Sequence, residues 1–220
     1  MRGRIVLFGL VSACAHPPSP HAHTPAAASV APPPPPIATI EPAADPPAVD
    51  PVKPTPKIVL HAGDSMVGGT MGLGRALHKR FTAMGSRVVR DVWVSINIEG
   101  FSRHPRFGKL LADNSPDLVI LTLGANDFYV PNPKSLTPFV KSIARRASQN
   151  GRECYWIIPV PWTKAKETGI VEVVKANASP CRVFDGSDLK LARTPDGVHP
   201  TNTGGEQWAD AFFAFYGSGN

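Results

Sequence analysis

The chain has 220 residues, a formal charge of +6 and 25 prolines, 15 of them within residues 17–56. A segment of that composition has too little to bury to fold alone, which leaves residues 57–220 as one compact domain with a real core. The whole charge excess sits on that domain, as a generic basic surface or a face for an anionic polymer or membrane; no Lys/Arg-rich run or basic–aromatic interleaving points to nucleic acid.

The amino terminus opens with a cationic head, Met1-Arg2-Gly3-Arg4, followed by an apolar stretch at 5–11 that is too short to span a bilayer. It ends in Val11-Ser12-Ala13-Cys14, which resembles a bacterial lipoprotein lipobox. The resemblance implies a signal peptide at 1–13, lipidation of Cys14, and export to the cell envelope with the membrane as partner through the lipid. Residues 14–56 then form a Pro-rich tether. Cys154 and Cys181 remain as a possible pair in an oxidising compartment.

The domain begins with a buried strand at 57–62, where Ile58, Val59 and Leu60 run together. A helix is expected over 66–84, weakened at its start by Gly68, Gly69, Gly72 and Gly74. A second strand covers 87–94, and a weaker helix covers 107–112. Residues 117–123 (DLVILTL) form a third strand, the most apolar in the chain. A helix at 136–149, a strand at 155–160, a helix at 170–178, a strand at 182–184 and a helix at 203–216 complete the domain. Strands that are continuous apolar runs and alternate with helices indicate an α/β fold with a parallel sheet covered on both faces. Five strands fit a flavodoxin-like three-layer arrangement in the order 2-1-3-4-5. In such folds ligands bind beyond the carboxyl ends of the strands.

Polar residues gather at those ends. Gly63-Asp64-Ser65 follows strand one, Asn97-Ile98-Glu99-Gly100 strand two, and Gly124-Ala125-Asn126-Asp127 strand three. Asp196-Gly197-Val198-His199-Pro200 follows strand five. A serine hydroxyl becomes a nucleophile near neutral pH only beside a base, and histidine titrates in that range. Asp196, three residues before His199, can fix the imidazole and stabilise its cation. The N–H groups of Ser65 and Gly100 and the Asn126 amide could receive a developing oxyanion. Asp64 and Asp127 read as loop braces, and His61 and His104 as structural or exposed. No His/Cys/Asp cluster has metal-ligand spacing, and neither a nicotinamide fingerprint nor a P-loop is present, so neither metal nor cofactor is expected.

These blocks resemble those of the SGNH hydrolases of the GDSL esterase/lipase group: GDSM at 63–66, GAND at 124–127, and TPDGVHPTNTGGEQWA at 194–209. The second block, NIEGFS at 97–102, is looser. The resemblance implies Ser65, Asp196 and His199 as a catalytic triad, with Ser65, Gly100 and Asn126 as the oxyanion hole. It spans acetylesterases, thioesterases, lysophospholipases and O-acyltransferases, and an idle binding lipoprotein is a further alternative.

A cell-envelope tether favours an acylated carbohydrate or other small ester as substrate. Small and polar residues beside the blocks favour a short acyl group, and a monomer is expected. Phe128, Tyr129 and Trp162 lie where they could stack on sugar rings or cap the core. Cysteines just before strands four and five would share the end of the sheet opposite the site and could form a disulfide.

Overall fold

The computed structural model describes residues 54–218; the expected signal peptide, Cys14 and most of the tether lie outside the described residues. Five strands, β1 (Ile58–Gly63), β2 (Arg87–Val92), β3 (Leu118–Thr122), β4 (Glu153–Ile157) and β5 (Arg182–Phe184), form one sheet. Their order is β2-β1-β3-β4-β5 and every pairing is parallel, as the apolar runs predict. The helices are α1 (Gly72–Ala83), α2 (Ile98–Arg103), α3 (Arg106–Asn114), α4 (Thr137–Ser148), α5 (Ile170–Asn177) and α6 (Asn202–Gly217).

Alternation along the strands divides the core into two layers. Leu60, Val119, Leu121 and Trp156 face α2 to α5, where they meet Phe101, Phe107, Val140, Ile143 and Val174. Val59, Leu118, Ile120 and Tyr155 face α1 and α6, where they meet Leu73, Leu77, Phe81, Trp208 and Phe212. The sheet is therefore apolar on both faces, and polar groups are displaced to its ends.

Three expected boundaries shift. The helix expected over 66–84 is broken: a single 3-10 turn, Ser65–Val67, ends at Gly68, and α1 starts at Gly72. Gly68 has φ +72°, and a Cβ there would sit 2.3 Å from the Met71 carbonyl oxygen, so the glycine is what permits the bend. Strand β4 starts at Glu153 rather than 155 and leaves the sheet after Ile157, so Cys154 lies inside it. Residues 98–103, expected only as loop, form α2 because Asn97 supplies the cap.

Candidate active site

Strand β1 ends at Gly63 because no larger residue fits. A Cβ at Gly63 would lie 1.8 Å from the Thr122 carbonyl oxygen of the neighbouring β3. The chain then turns on Asp64, whose N–H donates to that same Thr122 oxygen at 3.0 Å. Asp64 is fully buried and caps the 3-10 turn, accepting from Met66 N–H at 2.9 Å. Its other oxygen accepts from Gly124 N–H (3.0 Å) and Ala125 N–H (3.1 Å). The carboxylate thus ties the segment carrying Ser65 to the segment carrying Asn126.

The second half of the site comes from the far end of the chain. His199 Nε2 lies 2.9 Å from Ser65 Oγ, and Nδ1 lies 2.7 Å from Asp196 Oδ2. With Nδ1–H donating to the carboxylate, the Nε2 lone pair faces the serine hydroxyl; the network itself selects this tautomer. Asp196 Oδ1 accepts from Thr194 Oγ1 (2.6 Å), Val198 N–H (2.8 Å) and His199 N–H (3.0 Å). The Thr194 hydroxyl first, then the imidazole and the two amides, hold the Asp196 carboxyl well below the usual carboxylate range. Asp196 is therefore ionised whenever His199 can act as a base.

Two further groups hold this turn, Thr194 inside the 194–209 block and Arg193 just before it. Thr194 fixes Asp196, and Arg193 anchors the whole turn. One Arg193 nitrogen donates to the carbonyls of Val160 (3.0 Å) and Pro161 (2.9 Å), and the other to the carbonyl of Val198. Arg193 reaches carbonyls 32 and 33 positions away, which spacing does not reveal, whereas Thr194 acts on Asp196 two residues on.

The expected oxyanion donors divide. Ser65 N–H makes no hydrogen bond among the described residues, and Ser65 opens the 3-10 turn, where helical N–H groups point outward. Asn126 is exposed and donates one Nδ2 hydrogen to the Ile96 carbonyl at 2.8 Å, leaving its second hydrogen available. Gly100 does not fit its expected role. It is the third residue of α2, and its N–H donates to Asn97 Oδ1 at 2.8 Å. The cap that creates α2 has taken the proton that an oxyanion would need.

Asp127 is buried beneath this region and accepts from Ile98 N–H through both oxygens, at 3.0 and 3.3 Å. Burial pushes its carboxyl up to about 7, opposed by the Ile98 amide and reinforced by the charge of Asp64. Burial likewise raises Asp64 to about 6 against its three amide donors. Both carboxylates brace loops, as expected. His61 is buried on β1 with Nε2 2.9 Å from Thr122 Oγ1, and burial, then Arg90, lowers its imidazole to about 3. His104 sits between α2 and α3, edge-on to Trp93 and accepting from Arg106 N–H.

A cleft of about 270 Å³ opens beside the serine, lined by Ser65, Met66, the 68–72 segment, His199 and Pro200. Its wall combines the backbone of Gly68, Gly69 and Gly72 with Met66, Thr70, Met71 and Pro200, and Arg90 ties that wall to β2 by donating to the Gly69 carbonyl. Among the aromatics, Phe128 is core, stacked on Trp162 at 5.4 Å. Tyr129 is half exposed and tilts against Trp162 at 6.2 Å. The sulfurs of Cys154 and Cys181 are at bonding distance, with Cα atoms 4.5 Å apart, at the end of the sheet away from Ser65.

Comparison with known proteins places this architecture. No family model and no curated protein matches the chain. Among solved structures, TesA matches with 23% identity and a TM-score of 0.58, over 71% of this chain and 96% of that one. A carbohydrate acetylesterase family member from Sinorhizobium meliloti matches with 18% identity and TM-score 0.57, over 73% and 97%. A GDSL-like lipase from Bacteroides thetaiotaomicron matches with 19% identity and TM-score 0.53, over 72% and 87%. The fold is that of the SGNH hydrolases.

Proposed function

We propose that this protein is a serine ester hydrolase that removes short acyl groups, with acetylated carbohydrate of the cell envelope as its substrate class. The observation that carries the reading is the hydrogen-bonded chain Ser65–His199–Asp196 at the carboxyl edge of a parallel sheet. In the reaction Ser65 Oγ attacks the acyl carbon while His199 Nε2 takes its proton. The tetrahedral oxyanion forms beside Ser65 N–H and the Asn126 amide. The C–O bond to the alcohol then breaks as His199 returns the proton to the leaving oxygen. Water repeats the sequence on acyl-Ser65 and releases the acid. No step requires a metal or cofactor.

The short-acyl preference is supported by the size of the cleft beside Ser65, about 270 Å³, which leaves little room for a long chain. Each methylene in an apolar groove contributes about 0.8 kcal/mol, so a lipase improves steadily with chain length. The carbohydrate part is supported by the similar structures described as carbohydrate esterases, from Sinorhizobium meliloti and Clostridium thermocellum. The envelope location rests on the lipobox-like Val11-Ser12-Ala13-Cys14. Nitrophenyl esters from acetyl to octanoyl, run beside acetylated glycans, test the reading. Activity should be highest on acetyl and propionyl esters and fall beyond butyryl. A rate that climbs through octanoyl points instead to a lysophospholipase, and acyl transfer to an added sugar in preference to water points to an O-acyltransferase.

A further inference from the structure

Ester cleavage needs a seat for the alcohol half of the substrate as well as for the acyl group. The cleft along residues 68–72 lies between Ser65 and the start of α1. Two aromatic residues stand elsewhere on the same edge of the sheet, after β3 and β4. Phe128 N–H and Val130 N–H donate to the carbonyls of Ala125 and Asp127, so the 3-10 turn carrying Asn126 runs on to Tyr129. In such a turn positions i and i+3 share a face. Asn126 and Tyr129 are both exposed, while Ala125, Asp127 and Phe128 between and before them are buried. Tyr129 therefore stands on the side of the turn that carries the Asn126 amide.

Trp162 comes from the loop after β4. It packs against both core layers, so it lies across the carboxyl edge of the sheet that divides them. Phe128 stacks on its indole at 5.4 Å and 25°, and Tyr129 leans on it at 6.2 Å and 57°. The backbones of both residues are held. Arg193 donates to the carbonyls of Val160 and Pro161 and, through its other nitrogen, to that of Val198, which joins the Trp162 segment to the turn carrying His199. The Thr168 hydroxyl lies 3.1 and 2.7 Å from the carbonyls of Phe128 and Val130, on either side of Tyr129. Trp162 is only half-buried, and neither its indole N–H nor the Tyr129 hydroxyl makes a hydrogen bond among the described residues. The two rings thus form a shelf that is fixed before any ligand arrives, with two unspent polar tips.

We infer that Tyr129 and Trp162 form the subsite for the sugar ring that carries the ester. A pyranose packs its C–H face on an aromatic ring while its hydroxyls meet the N–H and O–H at the ring tips; a fatty chain would gain nothing from either tip. The inference rests on the serine-hydrolase reading and names the alcohol side of its substrate, with the acyl group in the cleft along 68–72. The tie through Arg193 keeps Trp162 beside the turn of His199, the group that must protonate the leaving sugar oxygen. Arg193 and Thr168 are positioning residues, and the order they impose on the rings lowers the entropy cost of binding.

Two esters with the same acyl group separate the subsite from the chemistry: an acetylated xylo-oligosaccharide, and ethyl acetate, whose alcohol has no ring. Tyr129→Ala and Trp162→Ala should each lose about tenfold more kcat/KM on the oligosaccharide than on ethyl acetate, mostly through KM. Tyr129→Phe, which keeps the ring, should lose less than Tyr129→Ala. Equal losses on the two esters mark a merely structural role and overturn the inference. A loss greater on ethyl octanoate than on the oligosaccharide gives the shelf to an acyl chain and overturns it as well. Because replacing Trp162 could disturb its loop, the wild-type protein gives a second test. Labelled with ¹⁵N and titrated with xylotetraose, it should show the indole N–H signal of Trp162, assigned with Trp162→Phe, moving while that of the buried Trp156 stays. A Trp162 signal unmoved at millimolar xylotetraose overturns the inference and leaves the hydrolase reading intact. Failure of a fluorophosphonate to label Ser65 defeats the hydrolase reading, whatever the titration shows.

Discussion

Gly205 of α6 rests on the backbone of Gly72 at the start of α1, so closely that a Cβ on Gly205 would lie 2.2 Å from the Gly72 carbonyl carbon. Gly204 is equally confined, 2.0 Å from the Ala192 carbonyl oxygen. These contacts seat the start of α6, and with it Pro200 and His199, against the segment that follows Ser65. The distance from His199 to Ser65 is therefore set by helix packing as well as by the hydrogen bond between them.

Gly205→Ala should destabilise the protein by about 1–3 kcal/mol or more, the range for overpacking against rigid neighbours. It should also lower kcat, because the backbone carrying His199 must retreat. Urea unfolding and ester kinetics on the same preparation measure both. An unchanged midpoint would show that the helices are not in contact here.

Two buried groups give pH dependence of opposite sign. His61 titrates near 3 in the folded chain and near the ordinary imidazole value when unfolded. Below about 6.5 the unfolded state binds a proton that the native state refuses, so this contribution to stability is present above that pH and is lost as pH falls toward 3. Asp127 is raised to about 7. It holds a proton in the native state that the unfolded chain has released, so its contribution is full below about 4 and declines as pH rises through 7. Relative to wild type, His61→Asn should flatten the acid loss of urea stability and Asp127→Asn the neutral-side decline. Parallel pH profiles for all three proteins would contradict both assignments.

The cysteine pair closes a loop of 27 residues, for which the chain-entropy account gives about 3–4 kcal/mol. Mass spectrometry of the unreduced exported protein should recover the peptides containing Cys154 and Cys181 as one linked species. Replacing both by alanine should lower stability by about 2–4 kcal/mol with little change in kcat, since the bond is remote from Ser65. Two free thiols in the exported protein would remove this support.

The proposed anchor has its own test. Processing at Cys14 should place more than one acyl chain on the mature protein, enough for stable membrane attachment. The wild-type protein should partition into detergent and the Cys14→Ser variant into the aqueous phase. Equal partitioning of the two would count against lipidation.

The sequence made the sheet legible because its strands are uninterrupted apolar runs and its turns carry distinctive residues. Ser65 and Asn126 were legible because their blocks follow β1 and β3, and Asp196 and His199 because their Asp-x-x-His block leads into α6. The engagement of Gly100 N–H was not legible, because the sequence does not show that an asparagine three residues earlier caps the helix and accepts from it. The hydrogen bond from Gly100 N–H to Asn97, which decides the matter, is a property of how α2 begins. Arg193 was invisible because it acts on the carbonyls of Val160 and Pro161, which only the fold brings near, and the task of Thr194 shows only in its bond to Asp196. The early start of β4 escaped notice because Glu153 is an ordinary polar residue, and only its pairing with Leu118 places it in the sheet.

The central claim is that Ser65 is the nucleophile and His199 its base. Labelling with a fluorophosphonate, followed by peptide mapping and assay of the same variants on nitrophenyl acetate, tests it most directly. The adduct should map to Ser65 alone and be greatly slowed in His199→Ala. Ser65→Ala and His199→Ala should each lose about 10⁴-fold or more in kcat. A Ser65→Ala protein that retains wild-type turnover, or an adduct on another residue, would contradict the account.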